Sequence, residues 1–171
     1  MDFLAMRSKY ALLGRDFLTW LYYRCESTQG QPEEAGGGVE VFFDDALALA
    51  GEGDKPAVST FKGDPSTMRS ELAVALKQGK KIAKAKVQIV TGDGNWSFTI
   101  DTDEWLVRSL KMPTSLVDGS DPEAVILDRL ALMEKGEEII ERILSHYLKA
   151  RVDAKGYASM AKDVAKWIDS L

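Results

Sequence analysis

The sequence predicts an α+β protein: a small antiparallel sheet, with a central hairpin at about residues 80–101, packed against helices, and long helices at both ends. Apolar and polar residues alternate on both sides of a Gly-rich turn, which is typical of a β-hairpin. Apolar residues recur at intervals of three and four near both ends of the chain, which is typical of helices. With 171 residues, 45% of them hydrophobic and 29% charged, the chain is expected to form a single globular domain over 1–171.

The first third of the chain predicts one helix and two short strands. Residues 2–25 are expected to be helical because their apolar residues follow helical spacing. The polar, Gly-rich stretch 27–38 predicts a mobile surface loop. Runs of β-prone residues predict strands at Val39–Phe43 and Ala57–Phe61, and Leu47–Leu49 either continues the first strand or pairs with it.

The clearest pattern is the central hairpin. Residues alternate from Lys80 to Thr91, a turn follows at 91–95, and alternation resumes from Trp96 to Ile100. The two sides of the first strand are expected to carry Ala83, Ala85, Val87 and Ile89 on one face and Lys80, Lys84, Lys86 and Gln88 on the other. A third strand is expected at Trp105–Met112.

Three further helices are predicted from caps and spacing. One begins at Asp64-Pro65-Ser66, where Asp64 or Ser66 caps it, and it ends at Gly79. A long helix begins at 120–123, and a last helix carries apolar residues between Tyr157 and Ile168. The long helix is expected to bury one stripe, which consists of Ile126, Leu130, Met133, Ile140, Leu144 and Tyr147.

Composition excludes several kinds of site. Cys25 is the only cysteine and His146 the only histidine, so an intramolecular disulfide, a zinc cluster and a multi-His metal site are not expected. Cys25 is expected to be structural or incidental, and His146 to be a cation near a helix C-terminus. We expect no cofactor and no metal site. No apolar stretch approaches a membrane span and residues 1–10 lack a signal-peptide pattern, so a cytoplasmic location away from membranes is expected.

A basic segment is the best functional lead in a chain whose net charge is -5. Five lysines fall within ten residues with no acid among them: Lys77, Lys80, Lys81, Lys84 and Lys86. Residues two apart on a strand are separated by about 6.6 Å, which roughly matches phosphate spacing along DNA. The alternative is a strand face kept soluble by lysine, and the residues alone favour that alternative.

Aromatic and acidic residues offer weaker leads. Trp96 and Phe98 could stack on bases, but their alternation with polar residues favours core packing. Carboxylates could hold Mg²⁺ for a nuclease, although no spacing specifies a metal site. These carboxylates are Asp44, Asp45, Asp101, Asp103 and Glu104.

The order of these segments resembles the C-terminal half of RdgC-type recombination-associated proteins, over roughly residues 10–150. The stretches that carry the resemblance are FLTWL (17–21), VEVFFDDALAL (39–49), SELAVALKQGKKIAKAKVQI (70–89), WSFTID (96–101), SLKMP (109–113) and ILDRLALMEKGEEIIERIL (126–144). The resemblance implies sequence-nonspecific binding to double-stranded DNA, a ring-shaped dimer with a basic interior, and a recombinase partner. It would place Lys77–Lys86 against DNA. The chain matches nothing of the family's N-terminal half, whose contacts close the ring, so the resemblance leaves open whether this chain forms another dimer or no ring.

Three hypotheses follow. In the first, a non-enzymatic module binds duplex DNA through the five lysines, with Arg69 as a neighbour. In the second, the long helix and the C-terminal amphipathic helix bind a protein partner or a second copy, forming a homodimer. In the third, Asp101 and Asp103 form a magnesium nuclease, which the residues support least.

Overall fold

The structure is a computed structural model that describes residues 3–51, 58–62, 65–104, 106–115, 117 and 121–171. It confirms the α+β fold with helices at both ends. The elements are α1 (Phe3–Ser27), β1 (Glu40–Ala50), β2 (Val58–Lys62), α2 (Pro65–Lys77), β3 (Lys81–Thr91), β4 (Gly94–Asp101), β5 (Leu106–Lys111), α3 (Pro122–Val152) and α4 (Ala154–Ser170). The proposed cap Asp64, together with Trp105 and Ser120, lies outside the described residues.

The five strands form one antiparallel sheet in the order β2-β1-β3-β4-β5. The predicted hairpin is confirmed as β3 and β4, in which Val87 pairs with Phe98 and Ile89 pairs with Trp96. These four side chains are buried because they share the sheet face that packs on the helices. Trp96 and Phe98 therefore belong to the core, as their alternation predicted.

A β-bulge modifies the predicted alternation at the start of β3. Ala48 pairs with Lys84 and Leu49 pairs with Ile82, which leaves Ala83 as an extra residue. Ile82 and Ala83 are consequently both buried. The bulge frees the Ile82 amide from the ladder, and this amide donates a hydrogen bond of 3.0 Å to the hydroxyl of Thr19 on α1.

The segment 27–38 is more firmly packed than the predicted mobile loop. It contains a short 3-10 turn at Glu33–Ala35, and Ala35 is completely buried. Arg142 on α3 donates to the carbonyl oxygen of Ala35 at 3.0 Å, and Arg24 Nε lies 2.8 Å from Glu34 Oε1. Composition indicated a loop correctly, but it could not reveal these long-range contacts.

The predicted buried stripe of α3 is wrong in its first half. Ile126 and Leu130 are 59% and 46% exposed, and the residues buried along this helix are Gly136, Ile139, Ile143 and Tyr147. Tyr147 packs against Phe17 and Trp20 of α1, with ring centroids 5.4 and 5.2 Å apart. The first ten residues of α3 include no buried residue, so the N-terminal part of this helix contributes little to the core.

Both C-terminal helices begin at an aspartate cap. Asp121 Oδ1 accepts from the amides of Glu123 and Ala124 at 3.1 and 3.2 Å, and Asp153 Oδ2 accepts from the amide of Gly156 at 2.7 Å. The apolar side of α4 then packs on the other helices, as its spacing predicted. None of the described helices is long and apolar enough to cross a membrane.

Candidate nucleic-acid interface

The end of α2 brings the first lysines to the surface. Gly79 has φ +80°, a left-handed conformation that suits glycine at a helix C-terminus. Its amide bonds the carbonyl of Leu76 at 2.9 Å, and the amide of Lys80 bonds the carbonyl of Ala75 at 3.1 Å. These two bonds end the helix and direct the chain into β3. Lys77, in the last turn of α2, is exposed beside this bend.

Lys80 and Lys81 point to different neighbours. Lys80 precedes β3 and its ammonium donates to Ser59 Oγ on β2 at 2.7 Å. Lys81 Nζ lies 2.7 Å from Asp16 Oδ1 on α1. The expectation that Lys80 projects from the strand beside Lys84 is therefore wrong, because Lys80 lies outside the strand and the bulge interrupts the alternation between them.

Lys84 and Lys86 project from the sheet face opposite the core, as predicted, but each is paired with an acid. Lys84 lies directly across the ladder from Asp101, and its ammonium is 3.2 Å from Asp101 Oδ2. Lys86 forms an ion pair with Asp44 on β1, and Gln88 Nε2 donates to the same carboxylate at 3.3 Å. Both lysine side chains remain about two-fifths exposed.

The six predicted DNA-contacting cations therefore lie among acids. Arg69 is exposed on α2, and its guanidinium is 3.2 Å from Glu26. Four of the six cations are paired with carboxylates from other elements, and Lys77 and Lys80 have no ion pair within the described residues. The local positive surplus is about two charges, well below the six that the sequence suggests.

The two carboxylates of the proposed nuclease, Asp101 and Asp103, are also engaged in ion pairs. Asp103 Oδ1 accepts from Arg15 Nε at 2.7 Å, and Asp101 faces Lys84. Glu104 pairs with Arg108, four residues later on β5. Within the residues that the structure describes, no group of three or more His, Cys, Asp or Glu side chains could hold a metal ion.

Cys25 belongs to the buried core, whereas the His146 side chain lies at the surface. The His146 ring stacks on Trp20 with centroids 6.4 Å apart, and its Nε2 is 4.0 Å from Glu34 Oε1. Burial, with a smaller contribution from the Glu26 charge, raises the pKa of the Cys25 thiol to about 12. A thiol with this pKa is protonated at neutral pH, so it is a poor nucleophile.

The sequence analysis did not predict two exposed apolar segments. Ile126 and Leu127 on α3 are 59% and 61% exposed, and Leu130 lies one turn further along the helix. The edge strand β5 exposes Leu106, Val107 and Leu110. The sequence shows that these residues are apolar. It does not show that the N-terminal part of α3 lies beyond the core, because helical spacing does not reveal which residues have neighbours to pack against.

No protein-family model, curated protein or solved structure matches this chain. The lysines between α2 and β3 and the exposed apolar segments are therefore the features that bear on function.

Proposed function

We propose that this chain is a non-enzymatic, cytoplasmic protein that binds double-stranded DNA without sequence preference and acts in recombination. The observation that carries the proposal is that Lys77 and Lys80, where α2 leads into β3, have no ion pair within the described residues, while Lys84 and Lys86 follow on β3. Lysine ammonium groups neutralise phosphates but do not read base edges, which is the chemistry of nonspecific binding. The resemblance to RdgC-type proteins supports the same function.

The ion pairs limit the expected affinity without preventing binding. An exposed ion pair contributes only about 0–1 kcal/mol, so an ammonium can exchange its carboxylate for a phosphate at small cost. The carboxylate then remains close to the phosphate and repels it. Lys77 and Lys80 are therefore expected to contact phosphates first, with partial contributions from Lys84 and Lys86.

This arrangement predicts a modest salt dependence. Two to four neutralised phosphates correspond to a slope of about -2 to -4 in a plot of log K against log salt. Fluorescence anisotropy with a labelled duplex of about three helical turns, measured across a salt series, gives this slope. Unrelated duplex sequences should bind with equal affinity. The proposal is wrong if no binding occurs at low salt or if the affinity depends strongly on sequence.

Charge reversal locates the interface. The triple variant Lys77→Glu, Lys80→Glu, Lys84→Glu should abolish binding, and circular dichroism should show a native fold. The matched control reverses three exposed lysines of α4: Lys155, Lys162 and Lys166. Both variants change the net charge by the same amount, so equal losses of affinity would indicate a general charge effect and would refute the assigned site.

Neutralising the paired aspartates tests whether their carboxylates weaken DNA binding. Asp44→Asn and Asp101→Asn remove the acids that pair with Lys86 and Lys84. Each substitution should strengthen DNA binding up to about fivefold, since a surface ion pair is worth up to about 1 kcal/mol. Asp93→Asn is the control, because Asp93 pairs with Lys135 on α3 instead. An equal gain in all three variants would count against the α2–β3 corner.

A second candidate function is self-association through the N-terminal part of α3. Ile126, Leu127 and Leu130 expose apolar surface on a helix segment that has no buried residue. If two copies of this segment pair antiparallel about Ile126, Glu123 of each copy lies opposite Arg129 of the other. The charges therefore complement each other in a symmetric dimer.

Sedimentation of the full chain tests this candidate. Ile126→Glu with Leu130→Glu should convert a dimer into a monomer without loss of stability, because both positions are exposed. Val152→Glu is the control, since Val152 is 86% exposed at the other end of the same helix. A wild-type monomer at high protein concentration would remove self-association and leave the DNA-binding proposal unaffected.

A further inference from the structure

A cavity of about 260 Å³ lies beneath α4, where this helix crosses α1, the end of α2 and α3. Its apolar wall includes Leu76, Met160, Val164 and Ile168. No residue of α4 is fully buried, although one side of the helix is apolar. The helix therefore covers a cleft that it does not fill, and part of the cleft lining is exposed to solvent.

One end of the cavity is positively charged. Lys80 and Lys81 both line it, together with Asp16. Asp16 lies between two cations, with Lys81 Nζ at 2.7 Å and Arg151 Nη1 at 3.2 Å. Two cations beside one carboxylate leave a positive surplus of about one charge at this end, and Lys80 also lines the cavity. An anionic group at this end would therefore gain favourable electrostatic energy.

The same end contains a hydrogen-bond donor without an acceptor. Tyr147 lines the cavity and is completely buried, and its hydroxyl has no hydrogen-bond partner among the described groups. Burial raises the pKa of Tyr147 above its ordinary value, so the hydroxyl stays protonated and remains a donor. Buried polar groups are normally paired, so this hydroxyl is a position at which a ligand oxygen would be stabilised.

We infer that the cavity binds an aliphatic carboxylate, such as a fatty acid of about eight carbons. Its carboxylate accepts hydrogen bonds from Lys81 and the Tyr147 hydroxyl, and its chain packs against Met160, Val164 and Ile168. The volume is slightly below the roughly 300–1,000 Å³ of typical small-molecule pockets, which limits the chain length. A compact anion such as inorganic phosphate would match the charge but would leave the apolar wall uncovered.

Titration of the full chain with octanoate, monitored by ¹H–¹⁵N NMR, tests the inference. The same spectra show whether the protein is folded. Octanoate should bind saturably and at least fivefold more tightly than octanol, which has the same chain but no charge. Acetate and inorganic phosphate should not saturate the site. The absence of saturation by octanoate, equal binding of octanol, or tighter binding of phosphate would each overturn the inference.

Variants locate the ligand. Ala161→Phe places a ring in the cavity and should abolish octanoate binding, whereas Ala158→Phe, on an exposed part of α4 outside the cavity lining, should not change it. Lys81→Met should weaken binding at least tenfold. Tyr147→Phe, which preserves the ring packing, should weaken it about threefold to tenfold. Unchanged affinity in Ala161→Phe with a shifted but native spectrum would refute this location.

Discussion

Gly136 offers a sharp test of how α3 packs on the sheet. A Cβ atom at this buried position would lie 2.8 Å from Cδ1 and 3.0 Å from Nε1 of Trp96. The indole cannot move aside easily, because Trp96 is completely buried and its Nε1 donates to the Leu132 carbonyl oxygen of α3 at 2.8 Å. The absence of a side chain at Gly136 therefore allows the helix to approach the sheet closely.

Two opposing effects set the outcome of Gly136→Ala. Replacing glycine by alanine within a helix normally stabilises a protein by about 1 kcal/mol. Forcing an extra carbon into a well-packed core costs about 1–3 kcal/mol. The net expectation is a loss of about 0–2 kcal/mol in the free energy of unfolding. In a Trp96→Phe background the indole Nε1 is absent and the ring is smaller, so the same substitution should become stabilising.

Urea unfolding followed by circular dichroism measures both effects in a double-mutant cycle. With a urea dependence of about 1–3 kcal/mol per molar, a change of 1 kcal/mol shifts the midpoint by about 0.3–1 M. The reversal of sign between the two backgrounds is the decisive result. If Gly136→Ala stabilises the wild-type protein, or destabilises both backgrounds equally, the close contact with Trp96 does not exist.

Three further outcomes are expected. Thr19→Val should lower the free energy of unfolding in urea by about 1–3 kcal/mol, because it leaves the buried Ile82 amide without its acceptor. The control Thr99→Val, on the opposite sheet face, should change it by less than about 0.5 kcal/mol. At pH 8 an alkylating reagent should modify Cys25 at least about a hundredfold more slowly in the folded than in the unfolded protein, since its pKa of about 12 keeps it a thiol. The contribution of this raised pKa to stability is complete below about pH 8.5 and is lost as the pH rises toward 12. Added Mg²⁺ should produce no cleavage of duplex DNA in a gel assay, and cleavage that Asp101→Asn and Asp103→Asn abolish would revive the nuclease hypothesis.

Much of the fold could be predicted because its signals are local. The alternation in β3 and β4 and the turn between them specify the hairpin, Asp121 and Pro122 mark the start of α3, and helical spacing marks α4. The errors occurred where distant contacts decide the outcome. The bulge at Ala83 depends on pairing with β1 and on the Thr19 hydroxyl, which is 63 residues away from Ile82.

The buried side of α3 illustrates the same limit. Two apolar stripes run along this helix, and spacing alone favoured the one that begins at Ile126. The core instead uses Gly136, Ile139 and Ile143, and the two stripes meet at the buried Tyr147. Glycine has a low helix propensity, but the absence of a side chain at Gly136 lets α3 approach Trp96 closely.

The net charge around the candidate lysines depends on which residues the strand register places opposite them. Within the basic segment no acid occurs, so the sequence alone suggests a strongly positive surface. The antiparallel ladder places Asp101 opposite Lys84, and β1 brings Asp44 to Lys86 from 42 residues away. A protein that binds DNA through this corner would therefore do so weakly and reversibly, with carboxylates already present as competitors for the phosphates. The same competition would make binding responsive to substitution of Asp44 and Asp101, which a surface of unpaired lysines would not show.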